Sequence, residues 1–512
     1  MSAIRLGTLR LPAAFVLGLL FSQAFSPGIL WGLLGSAALF AQLQLIVAAH
    51  RCREAALIAF CFGLGWFGAG LSWTMESMHA HGGLPTWAAA VGLALLATVC
   101  SAFGAAAAAA ARRAVRRPLF APFAYASALI LAEYLRAGGG LDFGWLNPGA
   151  AAVDLPWAGW APVAGSIGVA VAYLFSLAAV SSAFYAWREG GRLGSVVLLS
   201  AAVMSAGGGQ LGRFGAWSTP GPTVAMRILQ TNQPVVDAFT QVSAAGRIEE
   251  AARILEGDSA EKDRTDLVLT PEGILPGDLA SAAKSAPHAL EHFLKSARGP
   301  VLFSGFWRED DGRWFNSAFY VDGRSFDRVD KRKLVPFGEF VPKGFRWFVD
   351  LMGIPLSDLS EGRMDQALFR AADRKFGVMI CYEALDGEVL RSFWRRAEGP
   401  DFLVASANLG WFSPKILGQY LQLARMRAME SARPVASASA TGLSALIDAK
   451  GRVLAFLPAG ESGVLHADVV TALGAPTPYV RFGDLPALTL AFLLGLAACA
   501  ADRRAREPRS IM

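Results

Sequence analysis

The chain has 512 residues, of which 54% are hydrophobic and only 17% charged, with a net charge of +6 and a mean hydropathy of +0.39. Charged residues make up about 25% of an ordinary soluble domain, so this composition excludes a fully soluble protein and a disordered one. The polarity is uneven, because the first lysine is Lys262 while residues 225–470 have globular polarity. A polar block of that length is too long for a connecting loop, which excludes a pure transporter.

Apolar segments predict the membrane part of the chain, since a spanning helix needs about 20 mostly apolar residues. We expect an α-helical polytopic membrane domain of about eight spans. About seven of them lie in residues 1–215, and a C-terminal helix occupies residues 484–502. The apolar segments are 9–24, 28–49, 56–75, 86–111, 119–135, 164–187, 193–209 and 485–501.

The arginines indicate how these segments cross the membrane, because basic residues in short loops stay on the cytoplasmic side. Every second connection is basic, which places both termini in the cytoplasm and the polar block outside. Because the positive charge lies in these connections and sets the orientation in the membrane, we do not expect nucleic acid as a partner. Alternatively, the first segment with Ser22-Gln23-Ala24 is a cleavable signal peptide, whose removal would not move the polar block. The basic residues are Arg5, Arg10, Arg51, Arg53, Arg112, Arg113, Arg116, Arg117, Arg188, Arg192, Arg503, Arg504, Arg506 and Arg509.

The polar block, residues 225–475, contains short β-rich segments separated by turns and by helical patterns. This alternation predicts a layered α/β or α+β domain in which helices cover the faces of sheets. The clearest helical patterns are Val242–Leu255 and Lys415–Ser431. The predicted strands are Met226–Gln230, Asp266–Thr270, Val301–Phe306, Asn316–Val321, Phe376–Cys381, Asp401–Ser406, Val435–Ala440 and Ser444–Asp448.

The polar block has one cysteine, Cys381, at the end of an apolar strand pattern. A nucleophile at a strand-to-helix turn is exposed at the sheet edge, with backbone N–H groups nearby for an oxyanion. A lone cysteine is ordinarily a small buried hydrophobe, but here the polar residues Tyr382 and Glu383 end the apolar run at the thiol, so we favour the nucleophile. A histidine base and a catalytic metal are not indicated, because histidines are scarce and none lies at a convincing strand end. The histidines of the block are His288, His292 and His466.

Two further ionisable residues are candidates for the same site. Glu272 follows a strand pattern closed by Pro271, and Lys331 opens a segment rich in apolar and turn residues. Each alone is more simply interpreted as a surface charge. Together, a carboxylate base, an ammonium group and a thiol form a set that can carry out acyl transfer.

Three motifs in this one chain carry a family resemblance. They are Pro271-Glu272, Lys331 with Leu-Val-Pro-Phe-Gly-Glu339, and Ile380-Cys381-Tyr382-Glu383. They resemble the Glu-Lys-Cys triad of the nitrilase superfamily, specifically its membrane-embedded family, the apolipoprotein N-acyltransferases. The segments Gly65–Trp73 and Gln422–Pro434 also resemble that family, so the resemblance covers nearly the whole chain.

The resemblance implies an extracytoplasmic α-β-β-α sandwich, with neither cofactor nor metal. In it, Glu272 is the general base, Lys331 stabilises the oxyanion and Cys381 is the nucleophile that becomes acylated. Two positions depart from the family pattern: Phe239 replaces a frequent tryptophan and Leu409 a frequent aspartate, which affects the expected shape of the pocket and not the triad. The supporting or pocket-lining residues implied are Glu339, Tyr382, Glu383, Asn408 and Trp411.

The resemblance also implies the reaction and its cellular location. Cys381 would take the sn-1 acyl chain of a phospholipid such as phosphatidylethanolamine and pass it to the α-amino group of an apolipoprotein's N-terminal S-diacylglyceryl-cysteine. The enzyme would lie in a bacterial cytoplasmic (inner) membrane, with its catalytic domain in the periplasm. Phe345, Trp347 and Phe348 lie in a segment rich in aromatic residues and glycine, typical either of a lid that admits lipid or of an ordinary covering loop.

Two other functions compete with this one. A membrane-tethered nitrilase-type amidase would use the same triad on a small amide, but a tether needs one span and this chain has about eight. A non-enzymatic transporter or scaffold with a binding domain would leave the triad motifs unexplained.

Overall fold

The computed structural model describes residues 2–138, 142–233, 235, 244–258, 265–275, 277–341, 346, 358–396 and 398–507. The chain forms two compact units. The first comprises Met1–Thr74, Trp87–Gly215 and Phe482–Met512, and the second comprises Met75–Thr86 and Ala216–Arg481. The second unit therefore includes the short connection Met75–Thr86 between two apolar helices.

The first unit consists of helices, and each of the eight apolar segments coincides with one of them. Among the described residues, six helices are long and apolar enough to cross a membrane, which is typical of a membrane protein. The other two are α1, whose apolar part is short, and α5, which carries Glu133 and Arg136. The number of spans, predicted as about eight, stays a prediction. The helices are α1 (Ser2–Phe21), α2 (Ile29–Val47), α3 (Cys52–Gly70), α4 (Thr86–Ala114), α5 (Ala121–Gly138), α6 (Ala161–Arg188), α7 (Arg192–Phe214) and, after the second unit, α14 (Leu485–Arg504).

Helix α5 ends in a buried ion pair. Arg136 and Glu133 are 0% and 2% exposed, and Arg136 Nη2 lies 2.5 Å from Glu133 Oε2. The guanidinium also donates to the backbone carbonyls of Phe143 and Trp145. Because a buried charge is tolerated only when it is paired, this pair fixes the connection that follows α5.

The second unit contains two six-stranded sheets. Their strand orders are β12-β1-β2-β3-β4-β5 and β11-β10-β9-β8-β7-β6. Strands β1, β2 and β3 are parallel in the first sheet and β7, β8 and β9 in the second, while the outer pairs are antiparallel. The strands are β1 (Thr219–Gln230), β2 (Leu267–Leu269), β3 (Val301–Arg308), β4 (Trp314–Val321), β5 (Phe326–Asp330), β6 (Phe369–Ala371), β7 (Arg374–Ile380), β8 (Phe402–Ala407), β9 (Val435–Ser439), β10 (Ala445–Ile447), β11 (Val453–Phe456) and β12 (Gly463–Leu473).

Helices cover the outer faces of both sheets. Apolar side chains from the inner faces, such as Ile228, Tyr320 and Phe376, form one buried core between the sheets. Helices α8 and α10 bury Ile248 and Phe293 against the outside of the first sheet, and α11 and α12 cover the second. The unit is therefore the α-β-β-α sandwich implied by the resemblance. Its helices are α8 (Ala244–Gly257), α9 (Leu279–Ser285), α10 (Pro287–Ser296), α11 (Gly387–Ser392), α12 (Lys415–Ser431) and α13 (Pro478–Phe482).

The structure confirms the eight predicted strands as β1 to β4 and β7 to β10, with ends that differ by at most two residues, except that β1 begins at Thr219 and not at Met226. It adds β5, β6, β11 and β12, which the sequence analysis missed. Strand β5 begins with two exposed residues, β11 exposes alternate side chains and β6 has three residues, so none forms an apolar run. Strand β12 pairs with β1, which lies more than 200 residues earlier, a contact that local sequence does not specify.

Candidate active site

The candidate residues follow the ends of strands that share one edge of each sheet. Glu272 lies three residues beyond β2, Cys381 directly follows β7, and Asn408 directly follows β8. Strand β5 has the same direction as β2 because two antiparallel pairings separate it from β3, so Lys331 emerges at the same edge. The carboxyl ends of parallel strands meet at one edge of a sheet, and ligands bind there in open α/β sheets.

Lys331 connects two carboxylates. Its Nζ lies 3.1 Å from Glu272 Oε1 and 2.9 Å from Glu339 Oε1, and its side chain is 1% exposed. Burial alone would lower the pKa of Lys331, but the charges of Glu272 and Glu339 overcome it and raise that pKa well above 10.5. The side chain is therefore an ammonium group throughout the physiological range. Lys331 is thus in direct contact with two carboxylates that the sequence assigned to the same site, while the catalytic roles stay a prediction.

Asn316, on β4, is a site residue that the sequence analysis missed. Its Nδ2 donates to Glu272 Oε1 at 2.8 Å and to Glu339 Oε1 at 2.7 Å, and its carbonyl accepts from Lys331 N at 2.7 Å. The register that pairs Ser317 with Asp330 places Asn316 opposite Lys331. A buried asparagine within an apolar strand was the available signal, because a buried amide needs hydrogen-bond partners.

We expect Asn316→Ala to destabilise the contact between Lys331 and the two carboxylates, Glu272 and Glu339. The substitution removes the amide that separates the two carboxylates, and it leaves each carboxylate with one donor fewer. Loss of a buried hydrogen-bond partner costs about 1–3 kcal/mol of the free energy of unfolding. Chemical denaturation of both proteins measures the cost. Ser317→Ala, which removes a hydrogen bond to Asp330 from the next residue of the strand, is the matched control and should not affect acyl transfer.

Cys381 begins a short helical turn, Cys381–Leu385, immediately after β7. Its φ angle is +49°, a left-handed conformation that a side chain adopts at a cost of about 1–3 kcal/mol. Burial raises the pKa of the thiol well above 9.0. The charge of Glu272 adds to this rise, and the Lys331 ammonium opposes it. The thiol is therefore protonated at neutral pH, and its activation requires a base, for which Glu272 is the nearest candidate.

This electrostatic arrangement predicts an unusual pH dependence. Alkylation of Cys381 by iodoacetamide should be slow at pH 7 and should accelerate above pH 9, because only the thiolate reacts and the folded protein raises the thiol pKa. Glu272→Gln removes the negative charge that contributes to the rise, so the midpoint of this curve should move to lower pH. Acyl transfer should be lost in the same variant. A midpoint that moves to higher pH would contradict the assignment.

Glu383 joins the two segments that carry Lys331 and Cys381. Its Oε2 accepts from Ile380 N at 2.8 Å, and its Oε1 accepts a short hydrogen bond from Arg332 N. The Arg332 guanidinium lies 3.7 Å from Glu383 Oε2. Burial raises the pKa of Glu383, while Arg332 and the two backbone donors oppose the rise. The Glu383 carboxylate thus binds both Ile380, which precedes Cys381, and Arg332, which follows Lys331.

Of the remaining predicted site residues, three lie in the described part of the chain and four lie outside it. Asn408 donates from its backbone N–H to Glu272 Oε2 at 3.1 Å and caps the short turn Leu409–Trp411, while Tyr382 is buried. Trp411 makes an edge contact with His81, with ring centroids 5.1 Å apart. The other residues lie outside the described part of the chain: Phe239, Phe345, Trp347 and Phe348.

Fold and site together define a carbon-nitrogen hydrolase domain in a chain that also has apolar helices. Residues 223–479 match the family model described as carbon-nitrogen hydrolase, and residues 17–180 match that of the apolipoprotein N-acyltransferase N-terminal domain. The chain belongs to the apolipoprotein N-acyltransferase family.

Relatives with that name match over most of their length. The apolipoprotein N-acyltransferase of Ralstonia nicotianae is 36% identical, covering 98% of this chain and 96% of the relative. That of Bordetella bronchiseptica is 36% identical over 91% of this chain and 92% of the relative. That of Nitrosomonas europaea is 32% identical, with 96% and 97% covered.

Proposed function

We propose that this acyltransferase moves a fatty acyl chain from a membrane phospholipid, through a thioester on Cys381, to the α-amino group of an apolipoprotein's N-terminal S-diacylglyceryl-cysteine. The observation that carries the proposal is the buried Lys331 ammonium, held between Glu272 and Glu339 at the end of the first sheet, while Cys381 follows a strand of the second sheet whose neighbour, β8, leads to the Asn408 contact with Glu272. The names of the relatives supply the substrate class.

The first half-reaction forms the thioester. Glu272 accepts the thiol proton, and the sulfur attacks the ester carbonyl of the sn-1 chain. The carbonyl oxygen becomes an oxyanion that Lys331 stabilises, and this stabilisation is strong because the ammonium is shielded from water. The ester C–O bond then breaks, and the leaving alkoxide takes the proton from Glu272, so that a lysophospholipid departs.

The second half-reaction reverses the proton transfers. The α-amino group must be neutral to attack the thioester, and Glu272 accepts a proton from it as the C–N bond forms. Lys331 again stabilises the oxyanion. The C–S bond breaks, the thiolate recovers a proton and the amide product leaves. The raised pKa of Cys381 favours this return to the thiol.

The finer assignments are part of the same proposal. Phosphatidylethanolamine is the donor, and the chain resides in the bacterial inner membrane with both termini cytoplasmic and the catalytic domain periplasmic. The domains are residues 1–215, 225–475 and 484–502. The basic connections between the apolar segments support the orientation.

The test is intact-protein mass spectrometry of the purified full chain in detergent with phosphatidylethanolamine and no acceptor. We expect a mass increase of one fatty acyl group, which hydroxylamine removes and which a synthetic diacylated lipopeptide takes up as an amide. Release of free fatty acid with no lipopeptide product would contradict transfer and favour hydrolysis. An unchanged mass, in protein whose Cys381 still reacts with iodoacetamide, would contradict phospholipid as the donor.

A further inference from the structure

One buried hydroxyl close to the candidate site has no role in the steps above. Tyr420, on α12, is 3% exposed, and its hydroxyl has no hydrogen-bond partner among the described residues. Leaving a buried hydroxyl unpaired costs about 1–3 kcal/mol, so such a group in a native structure needs an explanation.

The topology places Tyr420 beside the nucleophile. Helix α12 connects the parallel strands β8 and β9 and so runs opposite to them, which puts its N-terminal half at the carboxyl edge of the sheet. Ala424 packs in one buried cluster with Met379 of β7. Tyr420 lies one turn, about 5.4 Å, before Ala424, and Cys381 lies two residues, about 6.6 Å, after Met379. Helix α12 also contacts the turn Cys381–Leu385.

The charges of the site act on this hydroxyl and keep it protonated. Burial raises the pKa of Tyr420 well above 10.0, and the charges of Cys381 and Glu272 add to the rise while Lys331 opposes it. At neutral pH the group is therefore a neutral O–H, a hydrogen-bond donor.

The known partners of Lys331 leave room for a second donor. Two of its three ammonium protons are directed to Glu272 and Glu339, which leaves one for the substrate. An oxyanion is best stabilised by more than one donor placed before the reaction begins. A fixed O–H at the level of the thiol meets that requirement without adding a charge.

We propose that the Tyr420 hydroxyl donates a hydrogen bond to the substrate carbonyl oxygen as the Cys381 sulfur attacks, and acts as a second oxyanion donor beside Lys331. This inference rests on the proposed acyl transfer at Cys381. Tyr420 keeps its proton throughout, because Glu272 carries the proton of the thiol and returns it to the leaving alkoxide.

Two probes of the same thiol separate this role from a structural one. A p-nitrophenyl fatty ester acylates Cys381 through an oxyanion, whereas iodoacetamide alkylates it without one. Tyr420→Phe should slow acylation about 100-fold, since one oxyanion donor is worth about 10²–10³ in rate. Alkylation should keep its wild-type rate and pH profile. Tyr320→Phe, which removes the hydroxyl of a ring in the core between the sheets, is the matched control and should leave both rates unchanged.

Other outcomes would overturn the inference. Equal slowing of acylation and alkylation would show that Tyr420 only supports the turn, and unchanged acylation would show that it donates nothing. Tyr420→Phe removes only a hydroxyl that has no partner among the described residues, so we expect it to fold as the wild type does. The p-nitrophenyl ester also separates the two proposals: wild-type protein that reacts with it and not with phosphatidylethanolamine would refute phospholipid as the donor and leave the test of Tyr420 valid.

Discussion

Cys381→Ala should abolish the acyl adduct and lower acyl transfer by about 10⁴-fold or more, which is the scale of loss when a covalent nucleophile is removed. The reason is that no other described cysteine lies in the second unit; the remaining four are in or beside the apolar helices. Mass spectrometry after incubation with phosphatidylethanolamine measures the adduct, and transfer to a labelled lipopeptide measures the rate. Cys499→Ala, in helix α14, is the control and should form the adduct normally.

The stability of variants at position 381 should show that the fold does not depend on the thiol. Cys381 is half-buried and adopts a φ of +49°, so Cys381→Ala should change the free energy of unfolding little. Cys381→Gly should unfold at a higher temperature than Cys381→Ala, because glycine adopts this conformation without the cost that a Cβ incurs. An adduct that persists in either variant would place the nucleophile elsewhere.

Lys331→Met should remove activity and also destabilise the protein, by about 3–5 kcal/mol, the usual cost of removing one partner from a buried ion pair. In the wild type, Glu272 and Glu339 are held apart by one ammonium and one amide. Without the ammonium, two carboxylates face each other in a buried space. Lys375→Met, which breaks an exposed pair with Glu398, is the control and should cost about 1 kcal/mol at most.

The pH dependence of this loss has a definite sign. In the wild type, the raised pKa of Lys331 contributes stability that is fully present below about pH 10.4 and is lost as pH rises through the higher folded value. Lys331→Met lacks this group, so the difference in stability between the two proteins should shrink as pH rises through that folded value. Urea denaturation of both proteins from about pH 7 upward measures the difference.

The central helices and strands of this protein follow from local sequence patterns. Long apolar segments produce helices wherever they occur, since only a helix satisfies the backbone of a membrane span locally. The strands β1 to β4 and β7 to β10 consist mostly of apolar or small residues where they are buried on both faces, and that pattern is visible without any knowledge of their partners. Glu272 and Cys381 were candidates for a related reason, because Cys381 directly follows such a strand and Glu272 comes just after the proline that closes one.

The edge strands and several site residues depend on contacts between distant parts of the chain, which only the folded structure shows. The edge strands β5, β6, β11 and β12 are strands only because a neighbour pairs with them. Asn316 joins the site through the β4–β5 register, and Glu383 joins the segment of Lys331 to that of Cys381 through Arg332. Tyr420 reaches the level of the thiol because α12 runs opposite to the strands it covers. A local pattern encodes burial and periodicity, whereas register and the distance between two side chains are fixed only when separate elements pack.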